Sequence, residues 1–433
     1  MPVGKFVFAQ LMEFLPRHEF DACVRRYGGE RRERGFSCRD QWLCLAFGQL
    51  TFRESLRDIE TCLRALDMKL YHAGFRGRIA RSTLADANQA HDWRIFADFA
   101  QVLIRRAREL YATEPLAVTL EQTVYALDST TIDLCLKLFP WARFRRRKGA
   151  VKLHTLIDLR GNIPTFVPVS HGKMADVKAL DHLPLERGAC YVMDRGDVDF
   201  LRLYRFTQCG AFFVTRGKKR LDYTPRTRRQ IDKTTGLRCD QTIVLAGLKS
   251  SQLYPVELRR IAFYDIEHER RFVFLTNNFD LPALVVAQLY RCRWQIELFF
   301  KWIKQHLRIK TFYGNSPNAV KTQVWVAISV YVLVALVKQE LRIDRPLSEI
   351  LQILSLSLFE KVPLFGFFRV LSGWLELSVV FGRRIFKALL RCPMEPEGFL
   401  RPRSFCQRLT RICQVSSQQH LPPTADFNHW TSE

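Results

Sequence analysis

The sequence predicts a mixed α/β protein with helical regions at both ends, and three observations lead there. Residues 1 to about 115 carry helix-start signals. Short apolar runs bounded by turn residues then follow from Val124 to Thr276. Helical pattern returns after Asp280-Leu281-Pro282 and continues to about Leu358.

In the first region, Ser37-Cys38-Arg39-Asp40 is a helix start with Ser37 capping and Asp40 three residues on. A second start is expected at Ser82 or Thr83. Between them lies a basic loop, Gly74-Phe75-Arg76-Gly77-Arg78. Two helices around such a loop suit a DNA-end-binding module; a packing subdomain with solvated basic residues is the alternative. In the second region, strands are expected over Val124–Leu127, Ile132–Leu136, Lys152–Leu159 and Ile163–Val169. Arg160-Gly161-Asn162 forms a hairpin turn between the last two. A short helix over Asp176–Leu183 precedes a buried strand, Cys190–Met193. Meandering strands, a helix and another strand are the order that opens an RNase H-like fold. Further strands are expected over Phe212–Thr215, Thr242–Ala246, Val256–Tyr264 and Phe272–Thr276. In the third region Pro282 sits near a helix start, where a missing N–H is tolerated.

Composition bounds the partners. The chain has 433 residues, room for two to four domains. Lys and Arg outnumber Asp and Glu by 67 to 43, a net charge of +24, which attracts polyanions and nucleic acid first among them. Twelve cysteines form no C-x-x-C pair, and most lie in apolar runs such as Trp42-Leu43-Cys44-Leu45. They read as reduced thiols of a cytosolic protein, not a disulfide framework or a zinc site. The N-terminus lacks the apolar run of a signal peptide. The longest apolar run, Val324 to Val337, has 14 residues and suits a buried helix better than a membrane span.

The chemistry concentrates in four residues. Tyr290, Arg293, Glu297 and Lys304 stand at offsets 3, 7 and 14 from the first. On one helix these project into a stripe about 60° wide over about four turns. One acid among cations suits a metal ligand flanked by phosphate clamps. Ordinary i,i+4 salt pairing also accounts for Arg293 and Glu297, but not for Tyr290 or Lys304. Asp128 follows the strand Val124–Leu127, and Asp194 ends the strand Cys190–Met193. Each alone reads as a turn or cap residue. Together with Glu297 they can share two Mg²⁺ ions and drive phosphodiester displacement.

Here the chain resembles the DDE transposases of bacterial insertion sequences, specifically the insertion sequence four family. Tyr290, Arg293, Glu297 and Lys304 match that family's Y-x2-R-x3-E-x6-K signature at every position. Leu127-Asp128-Ser129-Thr130-Thr131-Ile132 is similar to its first-aspartate motif and Met193-Asp194-Arg195-Gly196 to its second. The resemblance runs from about residue 5 to 362, its first 75 or so residues resembling a helical domain attached to one subgroup.

It implies an N-terminal all-α domain over 1–115 and an RNase H-like catalytic core over 116–204 and 281–362. A β-rich insertion over 205–280 interrupts that core, and a C-terminal extension over 363–433 is not family-derived. It implies metal-binding, catalytic roles for Asp128, Asp194 and Glu297, with Mg²⁺ or alternatively Mn²⁺. Tyr290, Arg293 and Lys304 would hold phosphates at the element's cleaved end. Arg145, Arg146, Arg147 and Lys148, placed near the first aspartate, and Arg216, Lys218, Lys219, Arg220, Arg226, Arg228 and Arg229 would bind DNA without reading sequence. The implied partners are double-stranded DNA, both element ends and target, and a second copy of the chain in a synaptic complex, with no membrane. The implied location is the cytoplasm, at the nucleoid. The alternatives are an inactivated or domesticated copy that only binds DNA, or another RNase H-like nuclease.

Some relatives stack a tryptophan of the insertion on a flipped base. Residues 205–280 hold no tryptophan, leaving Tyr223 and Tyr254 as substitutes. His154 and His171 read as structural. The family has tyrosine or phenylalanine where Asp197 stands. Asp197 is expected to impair the enzyme by losing that packing and adding charge beside Asp194; facing solvent harmlessly and serving as an extra metal ligand are the alternatives. Truncation after about Val362 is expected to leave folding largely unchanged.

Overall fold

A computed structural model describes residues 4–364, apart from 30–34, 68, 117, 119, 147, 219 and 307–311. The expected extension lies, from residue 365 on, outside the described residues.

Seven helices come first: α1 (Val7–Glu13), α2 (Arg17–Arg26), α3 (Cys38–Leu50), α4 (Leu56–Leu66), α5 (Lys69–His72), α6 (Arg81–Ala90) and α7 (Trp93–Tyr111). The Ser37 hydroxyl accepts from the Asp40 amide at 3.1 Å and the Asp40 carboxylate accepts from the Ser37 amide at 3.2 Å, closing the expected capping box of α3. α6 begins one residue early, behind Ala80, so Ser82 and Thr83 lie inside its first turn.

The strands are β1 (Val124–Leu134), β2 (Arg143–Arg145), β3 (Lys148–Asp158), β4 (Ile163–Phe166), β5 (Val169–His171), β6 (Cys190–Met193) and, after α8 (Phe200–Gln208), β7 (Phe212–Arg216). There follow β8 (Tyr223–Arg228), β9 (Leu237–Leu245), the short helix α9 (Leu248–Leu253), β10 (Leu258–Asp265) and β11 (Arg270–Thr276). Four helices close the described chain: α10 (Ala283–Cys292), α11 (Gln295–His306), α12 (Pro317–Glu340) and α13 (Leu347–Ser357).

All these strands join one sheet in the order β2-β3-β1-β6-β7-β11-β10-β9-β8, with β4 and β5 also on β3. β3 runs antiparallel to β1, whereas β6 and β7 follow in parallel. That is the strand order of an RNase H-like core. β1 is one strand, not two: Ser129, Thr130 and Thr131 offer no breaker, and two of the three are β-branched. Asp128 therefore sits within the strand, opposite Thr155. The turn at Gly161-Asn162 is as expected, both residues having positive φ (72° and 56°). The segment Asp176–His182 is a 3-10 turn.

Two expected boundaries move. β7 pairs in parallel with β6 and so belongs to the core, not to the insertion. The remaining insertion is no separate layer, because β11 pairs antiparallel with β7 and carries the sheet outward through β10 and β9 to β8. Likewise the N-terminal helices do not stand apart. α7 and α3 pack on α12. The Trp42 indole donates to Ser329 Oγ at 3.1 Å, and the Tyr111 hydroxyl to the Ala335 carbonyl at 2.9 Å. The cause is compositional. α3 is buried on nearly every side, and α12 holds an apolar window that is 94% buried, so each needs cover all round. α12 is long and apolar enough to cross a membrane, but here it is the central core helix.

The packed chain also runs past Val362. Leu364 is fully buried, its amide donates to Gln10 Oε1 at 2.8 Å, and Gln10 Nε2 donates to the Val362 carbonyl at 2.7 Å. This corrects the expected truncation point. A chain ending at Val362 should be less stable than one ending at residue 366 by about 2–3 kcal/mol, the worth of one buried leucine and a hydrogen bond. Urea unfolding of the two chains checks this; coincident curves would refute it.

Candidate active site

α10 lies against β6 and β7, and α11 against β1, so the turn between the helices hangs over the strands that carry Asp128 and Asp194. The sequence stripe assumed one continuous helix. Instead the chain tightens at Arg293-Trp294, where i→i+3 bonds run from Trp294 N to Arg291 O (3.3 Å), Ile296 N to Arg293 O (3.1 Å) and Glu297 N to Trp294 O (2.9 Å).

Two of the four stripe residues bond the two aspartates, and a third, Glu297, joins them through Arg293. The Tyr290 hydroxyl donates to Asp194 Oδ1 at 2.7 Å. Arg293 spans two acids, with Nη1 2.5 Å from Asp128 Oδ2 and Nη2 3.0 Å from Glu297 Oε1. A single guanidinium fork thus separates Asp128 from Glu297. The i,i+4 pair is real, but it is half of a bridge. Lys304 is exposed on α11, about 10 Å along the helix from Glu297.

The surroundings fix these side chains. Tyr290 is held by the Phe274 and Phe272 rings of β11, with centroids at 5.0 and 6.3 Å, so the extended sheet helps build the site. Burial and Asp194 push its hydroxyl up to about 12, which keeps it a donor. Arg216, at the end of β7, brings Nη1 to 3.9 Å from Asp194 Oδ1. The sequence had grouped Arg216 with the insertion; the β6–β7 pairing is what places it here.

The two aspartates differ in charge balance. Burial raises the Asp128 carboxyl above its ordinary value, and Asp194 and Glu297 add to this against the Ser129 amide and Arg293. Burial also acts on Asp194, but the Tyr290 hydroxyl, the Arg195 amide, Arg293 and Arg216 outweigh it and hold that carboxyl low. Three carboxylates with no thiol among them fit a hard divalent cation. Arg293 supplies the positive charge between Asp128 and Glu297 here. A separate trio, Asp265, Glu267 and His268, gathers at the β10–β11 turn. Arg291 already lies against it, 3.1 Å from Asp265 and 3.7 Å from Glu267.

Other expected residues fall elsewhere. Arg145, Arg146 and Lys148 are exposed on the β2–β3 hairpin, and Arg147 lies outside the described residues. The register Leu134↔Gly149 puts that hairpin about 20 Å along β1 from Asp128, not beside it. Arg226 and Arg228 are exposed on the edge strand β8, while Arg229 pairs with Asp240 at 3.5 Å. Tyr254 cannot stack on a base, being fully buried with its hydroxyl 2.8 Å from Thr207 Oγ1. Tyr223 lies under the Arg260 guanidinium. Asp197 does not face solvent: it is 5% exposed.

His154 is 1% exposed and bonded to Ser170 Oγ at 2.9 Å. Burial lowers its ring to about 4 despite Asp176 nearby. The unfolded chain therefore takes up this proton first. Stability should fall as pH drops from about 6.5 to 4, by up to about 3 kcal/mol. Denaturant titrations across that range should show the slope flattened in His154→Gln; an equal slope would assign the loss to other groups. The side chain of His171 lies outside the described residues.

Comparison with known proteins gives the class and then the family. Residues 119–333 match the family described as a transposase DDE domain, and residues 3–76 match a domain of unknown function, DUF4372. The chain is similar to a putative transposase, y4zB, of Sinorhizobium fredii, at 32% identity over 64% of this chain and 77% of that protein. It is similar to a probable transposase for insertion sequence element IS5377 of Geobacillus stearothermophilus, at 28% identity over 48% and 54% of the two chains. It is distantly similar in fold to piggyBac transposase in a synaptic complex with hairpin DNA, with a TM-score of 0.41 at 10% identity over 90% and 86% of the two chains. The chain belongs to the DDE transposases of bacterial insertion sequences. It is therefore an enzyme of DNA transposition, of a class that uses divalent metal ions.

Proposed function

We propose that this transposase binds the ends of its insertion sequence, cuts there and joins the freed strand to target DNA, with Mg²⁺ or Mn²⁺ held by Asp128, Asp194 and Glu297. What supports this most is the Arg293 bridge to Asp128 and Glu297 beside the Tyr290–Asp194 bond, which groups the acids with the phosphate-binding side chains. In cleavage, a water oxygen forms a bond to phosphorus and the bond to the 3′ oxygen breaks, leaving a 3′-OH. In joining, that 3′-OH attacks a target phosphodiester and displaces its 3′ oxygen. When bound by Asp128, Asp194 and Glu297, divalent ions would activate the attacking oxygen and stabilise the leaving one. Tyr290 holds Asp194 in orientation through its hydroxyl. Arg293 and Lys304 bind phosphate oxygens at the cut end, and Arg293 exchanges its carboxylate partners for them. Arg145, Arg146 and Lys148 grip the duplex some 20 Å away, about six base pairs along B-form DNA, and Arg147 joins them in binding DNA. Two copies act together in a synaptic complex at the nucleoid.

The test is to incubate the full chain with a fragment carrying the element's ends and a supercoiled target. New 3′-OH ends and joined products, formed with Mg²⁺ and absent with EDTA, are expected. Cleavage without joining would make it a nuclease, and binding without either would make it a DNA-binding protein; both overturn the proposal.

A further inference from the structure

Arg39 stands in the first turn of α3, far in sequence from the acids of the active site. It is half-buried, and it forms a wall shared by two cavities. One, of about 290 Å³, is also lined by Lys5, His72 and Gly74. The other, of about 210 Å³, is also lined by Arg17 of α2. Glu13 lines both, and its carboxylate is already paired with Lys5.

The fold gives the Arg39 guanidinium little to bond. Nη1 lies 3.5 Å from the Gly74 carbonyl, the outer limit of a hydrogen bond. Among the described residues no carboxylate pairs with it. The acid next to it in the chain, Asp40, is engaged in the capping box, where it accepts from the Ser37 amide at 3.2 Å and the Ser37 hydroxyl at 2.7 Å. A guanidinium carries five N–H donors, so most of those on Arg39 are left for a ligand. Burying a cation without a partner costs stability. Burial, followed by Arg17, lowers this group below its ordinary value, and Arg76 adds to the repulsion against Asp40 and Asp21. Arg76 is exposed on the loop just beyond Gly74, and Arg17 is exposed at the start of α2. Cations therefore gather around a guanidinium that no acid neutralises, at the edge of open space. An anion fits there, and a planar guanidinium fork suits phosphate oxygens in pairs.

We propose that Arg39 anchors a second DNA contact, its guanidinium taking a backbone phosphate of the bound duplex, with Arg17 and Arg76 flanking it. The inference rests on the proposed binding of DNA at the element's end, and it gives the N-terminal helices a part in that binding. The same helices that cover α12 on one side would then hold DNA on another. Because the contact is to phosphate, it adds affinity without reading sequence.

The test is binding of the full chain, in EDTA, to a labelled duplex carrying the element's end and to an unrelated duplex of equal length. Arg39→Gln should weaken both about 10- to 100-fold and make the salt dependence of log K shallower by about one phosphate. Arg39→Lys should recover part of the loss, since it restores the charge without the fork. Arg25→Gln removes the same charge from an exposed position on α2 that lines neither cavity, and should bind as the parent does. Arg39→Gln should also melt at or above the parental temperature, because it removes an unpaired, half-buried charge; an arginine that served the fold alone would lose stability and keep DNA affinity. If the parent binds the end and Arg39→Gln binds no worse than Arg25→Gln, end binding stands and this inference falls. If inorganic phosphate raises the melting temperature of the parent but not of Arg39→Gln, while DNA affinity is unchanged, the site serves free phosphate and the DNA contact is refuted. A parent that binds neither duplex removes the reading on which the inference rests, and the inference with it.

Discussion

Glu297→Gln should reduce Mg²⁺-dependent cleavage at the element's end by at least about a thousandfold, the effect of several kcal/mol lost from metal-assisted displacement. The substitution keeps shape and hydrogen bonding. The amide oxygen can still accept from Arg293 Nη2, now 3.0 Å from the carboxylate. Glu297 is largely exposed on α11, so folding should be unaffected. What disappears is one negative charge facing the strands of Asp128 and Asp194. DNA binding should hold or tighten slightly, since a negative charge near phosphate is removed. Cleavage and end binding are measured on the same protein sample, the first by release of labelled strand and the second by mobility shift. Cleavage near the parental rate would remove Glu297 from the chemistry, and the two-metal reading with it.

Much of this arrangement was legible in the sequence because its signals are local. The capping box at Ser37 and Asp40, the turn at Gly161-Asn162 and the acid ending β6 are each set by a few consecutive residues. The spacing of Tyr290, Arg293 and Glu297 also foretold a shared face, although the tightened turn at Arg293-Trp294 departs from the ideal helix behind that projection. What could not be read depends on partners distant in sequence. Arg216 looked like one more basic residue of a loop; only the parallel pairing of β7 with β6 brings it to Asp194. The Arg145–Lys148 hairpin is 17 residues from Asp128 in sequence at its nearest, but the antiparallel register carries it to the far end of β1. Asp197 showed the same limit. Its identity announced a departure from the family, but its burial is a property of two turns packed together.

Arg293→Ala should have two opposite effects, because its guanidinium has two sets of partners. Without DNA it neutralises Asp128 and Glu297, and it is itself only 17% exposed in its side chain. Its Nε is buried without a hydrogen-bond partner among the described residues, so the head group's hydrogen bonds go to those two acids while it packs over the Tyr290 ring at 5.9 Å. Removing it leaves Asp128, already raised by burial, facing Asp194 and Glu297 with no adjacent cation. The variant should therefore be less stable than the parent in EDTA and should recover more stability on adding Mn²⁺, because the ion meets acids with no competing guanidinium. On DNA the loss is simpler. A charge-assisted contact to phosphate is worth about 1.5–3 kcal/mol, so end binding should weaken about 10- to 100-fold, and the salt dependence of log K should become shallower by about one phosphate. Lys304→Ala should share the DNA effect, in smaller degree because that side chain is exposed, and should leave Mn²⁺ stabilisation unchanged. Melting temperatures with and without Mn²⁺, and end affinities at three or more salt concentrations, separate the two roles. An Arg293→Ala protein with parental DNA affinity and salt slope would make the guanidinium a purely structural bridge. One that gained no extra stabilisation from Mn²⁺ would show that Arg293 and the cation do not compete for the same acids.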